Sequence, residues 1–456
     1  MFIFYDIETT GVNLVYDQIL QFGAILADEN LVEIDRFEIR CRVLPWIVPS
    51  PDALLVTNTP VSWLEDPSLP VFYDMMAQIK ERLAHWAPAT FIGYNSMRFD
   101  EPILQRAFWQ ALLPPYLTVT GGNSRLDLLP IIRAIAHFWI GLLKLPLREN
   151  DVPSFRLEHL APANGFNAHR AHDAMGDVEA TLFLARFIAK RCPELWQTLV
   201  ARASKKSTAA LLTSGTPILL VQPGGTTTAG FYQRIDNNGA QGSHAVLAQL
   251  DYDWLSAKTR VDSFTTTEAA GFPEALRHVA LNKAPLVFTQ AEARALFELV
   301  PTAADLEQAH FLSRNDDYCL FLTESNARPA REISANCVEV EETIFDCFAS
   351  AHDEQLMADF HRADALKRIV IARTFTDNRF RRLAMRFVHV TAPNLLSAGE
   401  QSQMRDGIAR RLDAVREDPH PWRSIADAIA ELDANLEHAV TDEGDAIRTW
   451  LAQRRH

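Results

Sequence analysis

An α/β fold followed by β-rich and helical segments is what this sequence predicts, and three observations carry the prediction. Strand and helix signals alternate over the first 200 residues, as they do when helices cover a sheet. Short apolar runs set between turn-rich stretches follow, and from about Ser350 strand signals give way to Ala- and Leu-rich helical stretches. A length of 456 residues also suits more than one domain, at roughly 150 residues each.

Taken in order, Phe2 to Tyr5 is a short apolar run that meets an acid at Asp6. Ile19 to Leu26, Phe37 to Val43 and Thr90 to Tyr94 read as further strands between polar turns. Helical periodicity covers about Tyr73 to Trp86, Glu101 to Leu112, Leu126 to Phe138 and Ala174 to Lys190. The small, polar segment Ala203-Ser204-Lys205-Lys206-Ser207-Thr208 reads as a linker. Beyond it, Ile218 to Gln222, Ala245 to Leu250 and Pro285 to Phe288 are strand candidates among turns such as PGGTTTAG. These textures divide the chain into 1–200, 201–347 and 348–456.

Composition narrows the class. Apolar residues at 48% and charged residues at 22% exclude a disordered chain, because enough apolar surface exists to offset the entropy of folding. No apolar run approaches the roughly 18 residues of a membrane span, so no membrane association is expected. The five cysteines form no C-x-x-C pair, which argues against a disulfide framework or zinc knuckle and for a reducing, cytoplasmic setting. The opening MFIFYDIETTG shows no basic region or cleavage site, and a removable leader is not expected. A net charge of −14 disfavours a polyanionic partner globally. Locally, however, Lys367, Arg368, Arg373, Arg379, Arg381, Arg382 and Arg386 face only Asp377, which reads either as a solvated helix face or as one wall of an anion channel.

The chemistry begins at Asp6-Ile7-Glu8-Thr9-Thr10-Gly11. Residues i and i+2 of a strand share a face, roughly 6.6 Å apart along the backbone. Carboxylates so placed can flank divalent cations, although an acidic pair ending an edge strand looks the same. Asp100 in GYNSMRFDE stands between a strand and a helix, where an N-cap reading competes. In AHDAMGDVEAT, His172 precedes Asp177 by five residues at the start of a helical run; there, helix entry and dipole complementation are the competing readings.

The order D-x-E, then F-D, then H-x-x-x-x-D resembles the DEDDh 3′→5′ exonuclease superfamily. YNSMRFDE, NSRLDLLPIIRA from Asn123, PSFRLEHLAPANGF from Pro153 and AHDAMGDVEAT together resemble the bacterial exodeoxyribonuclease I family. The likeness is specific over the first 200 residues and patchy beyond, where IFDCFAS (Ile344–Ser350), FTDNRF (Phe375–Phe380) and Pro393-Asn394-Leu395 carry it. The first motif, DIETTG, departs from the family in lacking an aromatic residue between its acids.

This resemblance implies an RNase H-like exonuclease domain over 1–200, a small SH3-like β-rich domain over 201–347 and a helical C-terminal domain over 348–456, closing around a strand as a clamp. It implies a 3′→5′ exonuclease that degrades single-stranded DNA to nucleoside 5′-monophosphates in DNA repair or recombination. Asp6, Glu8, Asp100 and Asp177 are then ligands of two Mg²⁺ ions, with Mn²⁺ as a substitute, and His172 is the general base. His169, without the family spacing to Asp177, is a surface residue in this reading. Glu8, Thr9, Ser124 and Arg156 are the candidate substrate contacts, and Phe99, Trp109 and Phe155 are candidates either for base stacking or for the core. A monomer is expected, with single-stranded DNA-binding protein as a partner through its acidic tail. Two rival readings stand beside this one: a DEDDh exonuclease acting on RNA or primer ends, and a catalytically silent single-stranded DNA-binding adaptor.

Overall fold

Alternation along the first strand, β1 (Phe2–Thr9), sorts the N-terminal part of the molecule into two faces. Phe2 and Phe4 enter one buried cluster with Ile25, Ile92 and Val178, while Ile3, Tyr5 and Ile7 enter another with Phe22, Ile79 and Leu104. Asp6 and Glu8 continue the first of these faces. The computed structural model describes residues 1–148, 150–167, 171–213, 215–236, 243–261, 274–326, 339–415, 420–435 and 441–454.

β1 pairs antiparallel with β2 (Ile19–Ala27), which pairs antiparallel with the edge strand β3 (Glu33–Arg40). The short helices α1 (Pro51–Val56) and α2 (Val61–Leu64) and the longer α3 (Phe72–Trp86) then lead to β4 (Thr90–Gly93). β4 joins β1 in parallel, and β5 (Ser124–Asp127) joins β4 in parallel, giving the order β3-β2-β1-β4-β5 of an RNase H-like sheet. Helices α4 (Asp100–Gln110), α5 (Leu128–Phe138), α6 (Leu157–Ala163) and α7 (Ala174–Arg191) complete this layer. β3 begins four residues earlier than its apolar content suggests, because an edge strand with one solvated face alternates polar and apolar residues. β5, read from sequence as the start of a helix, is a four-residue strand whose only strong apolar residue is Leu126.

The segment read as a linker is largely helical. After α8 (Pro193–Arg202), Ser204 caps α9 (Lys205–Leu212) by accepting from the Ser207 amide at 3.0 Å, and Ala209, Leu211 and Leu212 are buried. A second sheet follows, all antiparallel, in the order β10-β6-β7-β8-β9. Its strands are β6 (Ile218–Gln222), β7 (Thr228–Arg234), β8 (His244–Gln249), β9 (Leu276–Ala280) and β10 (Leu286–Thr289), with α10 (Trp254–Val261) between β8 and β9. Helical structure resumes well before Ser350, in α11 (Gln290–Phe297), α12 (Ala303–Leu312) and α13 (Asp316–Ser325). The first two open on capping boxes, Thr289 with Glu292 and Thr302 with Asp305, a start signal present in the sequence.

The C-terminal part is helical: α14 (Ala351–Arg362), α15 (Ala365–Thr374), α16 (Asn378–Thr391), α17 (Ala398–Leu412), α18 (Ile425–Ala434) and α19 (Asp442–Gln453). Phe360, Phe380 and Phe387 from these helices share a core with Tyr73 and Trp109 of the first layer, and the Tyr73 and Phe387 rings lie 4.3 Å apart. A smaller cluster joins Ile425, Trp450 and Leu451 to Leu20 and Leu54. The C-terminal helices are thereby packed onto the face of the first sheet opposite α7. Among the described residues no helix is long and apolar enough to cross a membrane.

Candidate active site

Asp6 and Glu8 leave β1 on the side where α7 crosses the sheet. Gly23 is the cross-strand partner of Asp6, and a Cβ on it would stand 2.9 Å from backbone atoms of Ala174 and Met175. Its missing side chain lets the first turn of α7 lie directly on β2. That turn carries Asp177, and Asp173 caps it by accepting from the Gly176 amide at 3.3 Å. Ligand oxygens of Asp6, Glu8 and Asp177 consequently lie within 4.8 Å of one another.

Asp100 joins from another direction. It is buried at the first position of α4, one residue past the N-cap position held by Phe99, so the N-cap reading of this acid does not hold. Burial is the main cause raising the Asp100 carboxyl to about 8, with Asp127 and Glu101 adding repulsion against hydrogen bonds from its own amide and that of Ile7. Burial, then Asp177 and Asp100, push Glu8 up to about 8, with Arg40 acting in the opposite sense. Asp6 is raised well above the usual carboxylate range by burial and by Asp100, Asp177 and Glu8. Carboxyls that burial and mutual repulsion hold back from ionising together are a donor set that a divalent cation would relieve, and their hard oxygens fit such an ion.

His172 stands on the turn entering α7, half-buried, with a left-handed backbone (φ 60°) that costs a residue other than glycine roughly 1–3 kcal/mol. His169 lies outside the described residues. Arg156 is the N-cap residue of α6, its side chain 63% exposed and 3.6 Å from Glu158. The preceding Phe155 carbonyl accepts from the Tyr94 hydroxyl, which ties this segment to the end of β4. Thr9 is buried at the bulge ending β1, and its hydroxyl donates to the Gly11 carbonyl at 2.6 Å, so its proton is used within the turn. Ser124 is not brought to the site. It pairs with Thr90, which pairs with Phe2. Phe2 lies four positions before Asp6, which puts Ser124 roughly 13 Å down the sheet at about 3.3 Å per residue; its hydroxyl meets that of Thr90 at 2.9 Å.

Residues 3–184 match the family model described as Exonuclease, and residues 338–452 match the Exonuclease I C-terminal domain. Exodeoxyribonuclease I of Escherichia coli K12 is 27% identical over 433 residues, covering 88% of this chain and 88% of the relative. The chain belongs to the exonuclease I family. Solved structures agree on the fold. Exonuclease I from Methylocaldum szegediense superposes with a TM-score of 0.80 at 22% identity, covering 100% of this chain and 98% of that one. E. coli exonuclease I in complex with a dA16 oligonucleotide gives 0.79 at 23% identity, covering 99% and 98%.

In this exonuclease the basic run 367–386 is not a bare face. Arg379 pairs with Asp377 at 2.7 Å and donates to the carbonyls of Thr343 and Cys347. Arg381 donates to the Phe375 carbonyl, Arg368 to that of Phe360, and Arg373 pairs with Glu400. Arg386 and Arg411 both pair with the buried Glu341, which they hold down to about 2 against its burial. Arg381, Arg382 and Arg386 do line a cavity of about 310 Å³ with Arg410, Arg411 and Glu339. Of the aromatic candidates, Trp109 is buried against Phe380 and belongs to the core. Phe99 and Phe155 are partly buried against the two cores, with the Arg133 guanidinium 5.5 Å from the Phe155 ring.

Several supporting residues escaped the reading of the sequence. Asp173 accepts from Gln21 and Arg40, both at 2.9 Å, which fastens the α7 entry to β2 and β3. Asp127 accepts from the amides of Asn95 and Met97 at 2.8 and 3.1 Å, holding the turn that leads to Asp100. Glu101, buried beside Asp100, accepts from Tyr5 and Thr118 and pairs with Arg125. Asp173 and Asp127 each stand just before an apolar helical run, an N-cap signal that was available; Glu101 carried none.

Proposed function

We propose that the protein removes nucleotides from the 3′ end of single-stranded DNA and releases nucleoside 5′-monophosphates by phosphodiester hydrolysis. The observation that carries this reading is the convergence of Asp6, Glu8 and Asp177 within 4.8 Å beside the buried Asp100, in a chain of the exonuclease I family. The oligonucleotide held by the E. coli relative supports a single-stranded substrate.

Asp6, Glu8, Asp100 and Asp177 would hold two Mg²⁺ ions, and Mn²⁺ would substitute. Such ions, when bound, lower the pKa of the attacking water and neutralise charge on the departing 3′-oxygen. An imidazole nitrogen of His172 takes the water's proton, the part that histidine most often plays in general-base catalysis. Arg156 presents its guanidinium to a phosphate of the strand, where two parallel hydrogen bonds are available. Glu8 and Thr9 border the terminal nucleotide. Residues 1–200, 201–347 and 348–456 close around the strand as three units. The enzyme works as a monomer in the cytoplasm, in DNA repair or recombination, and single-stranded DNA-binding protein is its partner. Free Cys41, Cys192, Cys319 and Cys347 support a reducing compartment.

A time course with Mg²⁺ and a 5′-labelled oligonucleotide, single-stranded and as a blunt duplex, tests the reading. The expected result is a ladder shortening from the 3′ end of the single strand, abolished by EDTA and by Asp6→Ala, with strand binding kept in the variant. RNA degraded in place of DNA would install the ribonuclease reading, and binding without cleavage the silent adaptor.

A further inference from the structure

The β1–β2 register shifts between Glu8, which pairs with Gln21, and Thr9, which pairs with Ile19, so the direction of the Glu8 side chain depends on the turn that follows as well as on the sheet. The turn from Thr9 to Asp17 closes on one buried carboxylate. Asp17 accepts from the Thr10 hydroxyl at 2.8 Å and from the Asn13 amide at 2.7 Å. Its third partner comes from the far end of the chain: Arg423 reaches Asp17 at 3.3 Å while its Nε donates to Glu431 at 3.1 Å. Asn13 also donates to the Pro421 carbonyl at 3.1 Å, and the Tyr16 ring packs edge-on to Trp422 at 6.1 Å. Gly11 lies against the pair, where a Cβ would meet Asp17 Oδ2 at 2.5 Å and Arg423 Nη1 at 3.0 Å.

We propose that Arg423 is a positioning residue for the carboxylate site, holding the Thr9–Asp17 turn through Asp17 and thereby the end of β1 that carries Glu8. The side chain of Asp17 is 4% exposed, so a carboxylate deprived of its cation there is poorly solvated. It turns outward to find water and carries the turn with it. The C-terminal helices thus help to shape the catalytic end of the first sheet as well as to cover it. This inference rests on the cation-binding reading of Asp6, Glu8, Asp100 and Asp177.

The test uses the full chain and three variants: Arg423→Ala, Arg423→Lys, and Arg448→Ala, whose exposed pairing with Asp433 lies in the same C-terminal region. Mn²⁺ binding is read by calorimetry without DNA, alongside kcat, KM and the melting temperature. Arg423→Ala should weaken Mn²⁺ binding by up to about 10-fold, the low end of what losing a partner bonded to a ligand costs, because Arg423 acts on Glu8 only through the turn. Its kcat should fall by a larger factor than KM for the oligonucleotide rises, since Arg156 stays in place and only Glu8 and Thr9 among the strand contacts lie on the displaced segment. Arg423→Lys should recover part of both losses, and Arg448→Ala should match wild type. Wild-type Mn²⁺ affinity and kcat in Arg423→Ala, with or without a lower melting temperature, would overturn the proposal. Should Arg423→Ala fail to fold, Arg423→Gln removes the charge while keeping most of the bulk, and an unchanged Mn²⁺ affinity in that variant would overturn it as well. Absence of Mn²⁺ binding by the wild-type chain would instead overturn the cation reading beneath it.

Discussion

Gly23 lies opposite Asp6 in the β1–β2 ladder, and the side chain it lacks is the space that the first turn of α7 occupies. The atoms a Cβ would meet are the Ala174 carbonyl carbon and the Met175 nitrogen, both at 2.9 Å. Both are backbone, so neither can swing aside as a side chain would. The distance between β1 and α7, and with it the gap between Asp6 and Asp177, is therefore governed by a residue with no chemistry of its own.

Gly23→Ala should move α7 outward. Overpacking of this kind costs about 1–3 kcal/mol, and the denaturation midpoint should fall accordingly. Cleavage should fall further than stability accounts for, because the displaced group is Asp177. Unchanged activity in a destabilised variant would separate the packing of α7 from the chemistry.

Glu341 sets an acid limit on stability. Arg386 and Arg411 hold its carboxyl down to about 2 although burial opposes them. A depressed folded value means that the stabilisation is complete above the unfolded pKa, about 4.3 for a free glutamate, and is lost as pH falls toward 2. Glu341→Gln should leave Arg411 under-compensated, cost about 3–5 kcal/mol at neutral pH and flatten the acid limb of a melting-temperature profile. An acid limb of unchanged slope would assign the acid transition to other carboxylates.

Arg379→Ala separates structural from DNA-binding arginines. Its guanidinium is engaged by Asp377, Thr343 and Cys347. Removing it should cost about 1–3 kcal/mol of stability by leaving those acceptors unpaired. The salt dependence of oligonucleotide affinity should stay the same, since no counterion-releasing contact is lost. A shallower slope would place Arg379 on the strand after all.

Arg156→Ala should behave in the opposite way. The side chain is 63% exposed with one long ion pair to Glu158, so the melting temperature should hold. KM should rise, with a shallower salt dependence of binding, and kcat should change less if the contact is equal in ground and transition states.

Much of the first layer was legible because its rules are local. The alternation of β1 and the apolar runs of β2 and β4 show in the residues themselves, as do the periodicities of α3 and α7. What was misread had weak or shared signals. β5 is four residues long, the edge strand β3 carries polar residues on its open face, and α9 begins with the Ser-Lys-Lys-Ser pattern of a linker. The capping boxes at Thr289 and Thr302 were readable and would have placed helices directly after β10.

At the site, the sequence by itself determined that Asp6 and Glu8 share a face and that Asp177 opens a helix, because strand and helix periodicities are properties of neighbouring residues. The resemblance that its motif order carries implies a place for Asp100 and His172 beside them. Tertiary structure decided what depends on distant partners. It brought α7 onto Gly23 and withheld Ser124 from the carboxylates by strand register. It turned most of the basic run into ion pairs and carbonyl contacts, and it supplied Arg423 to Asp17 from 406 residues away. A side chain's type and spacing specify which face it occupies. Its charge, its solvation and the company it keeps are set only when the chain folds back on itself.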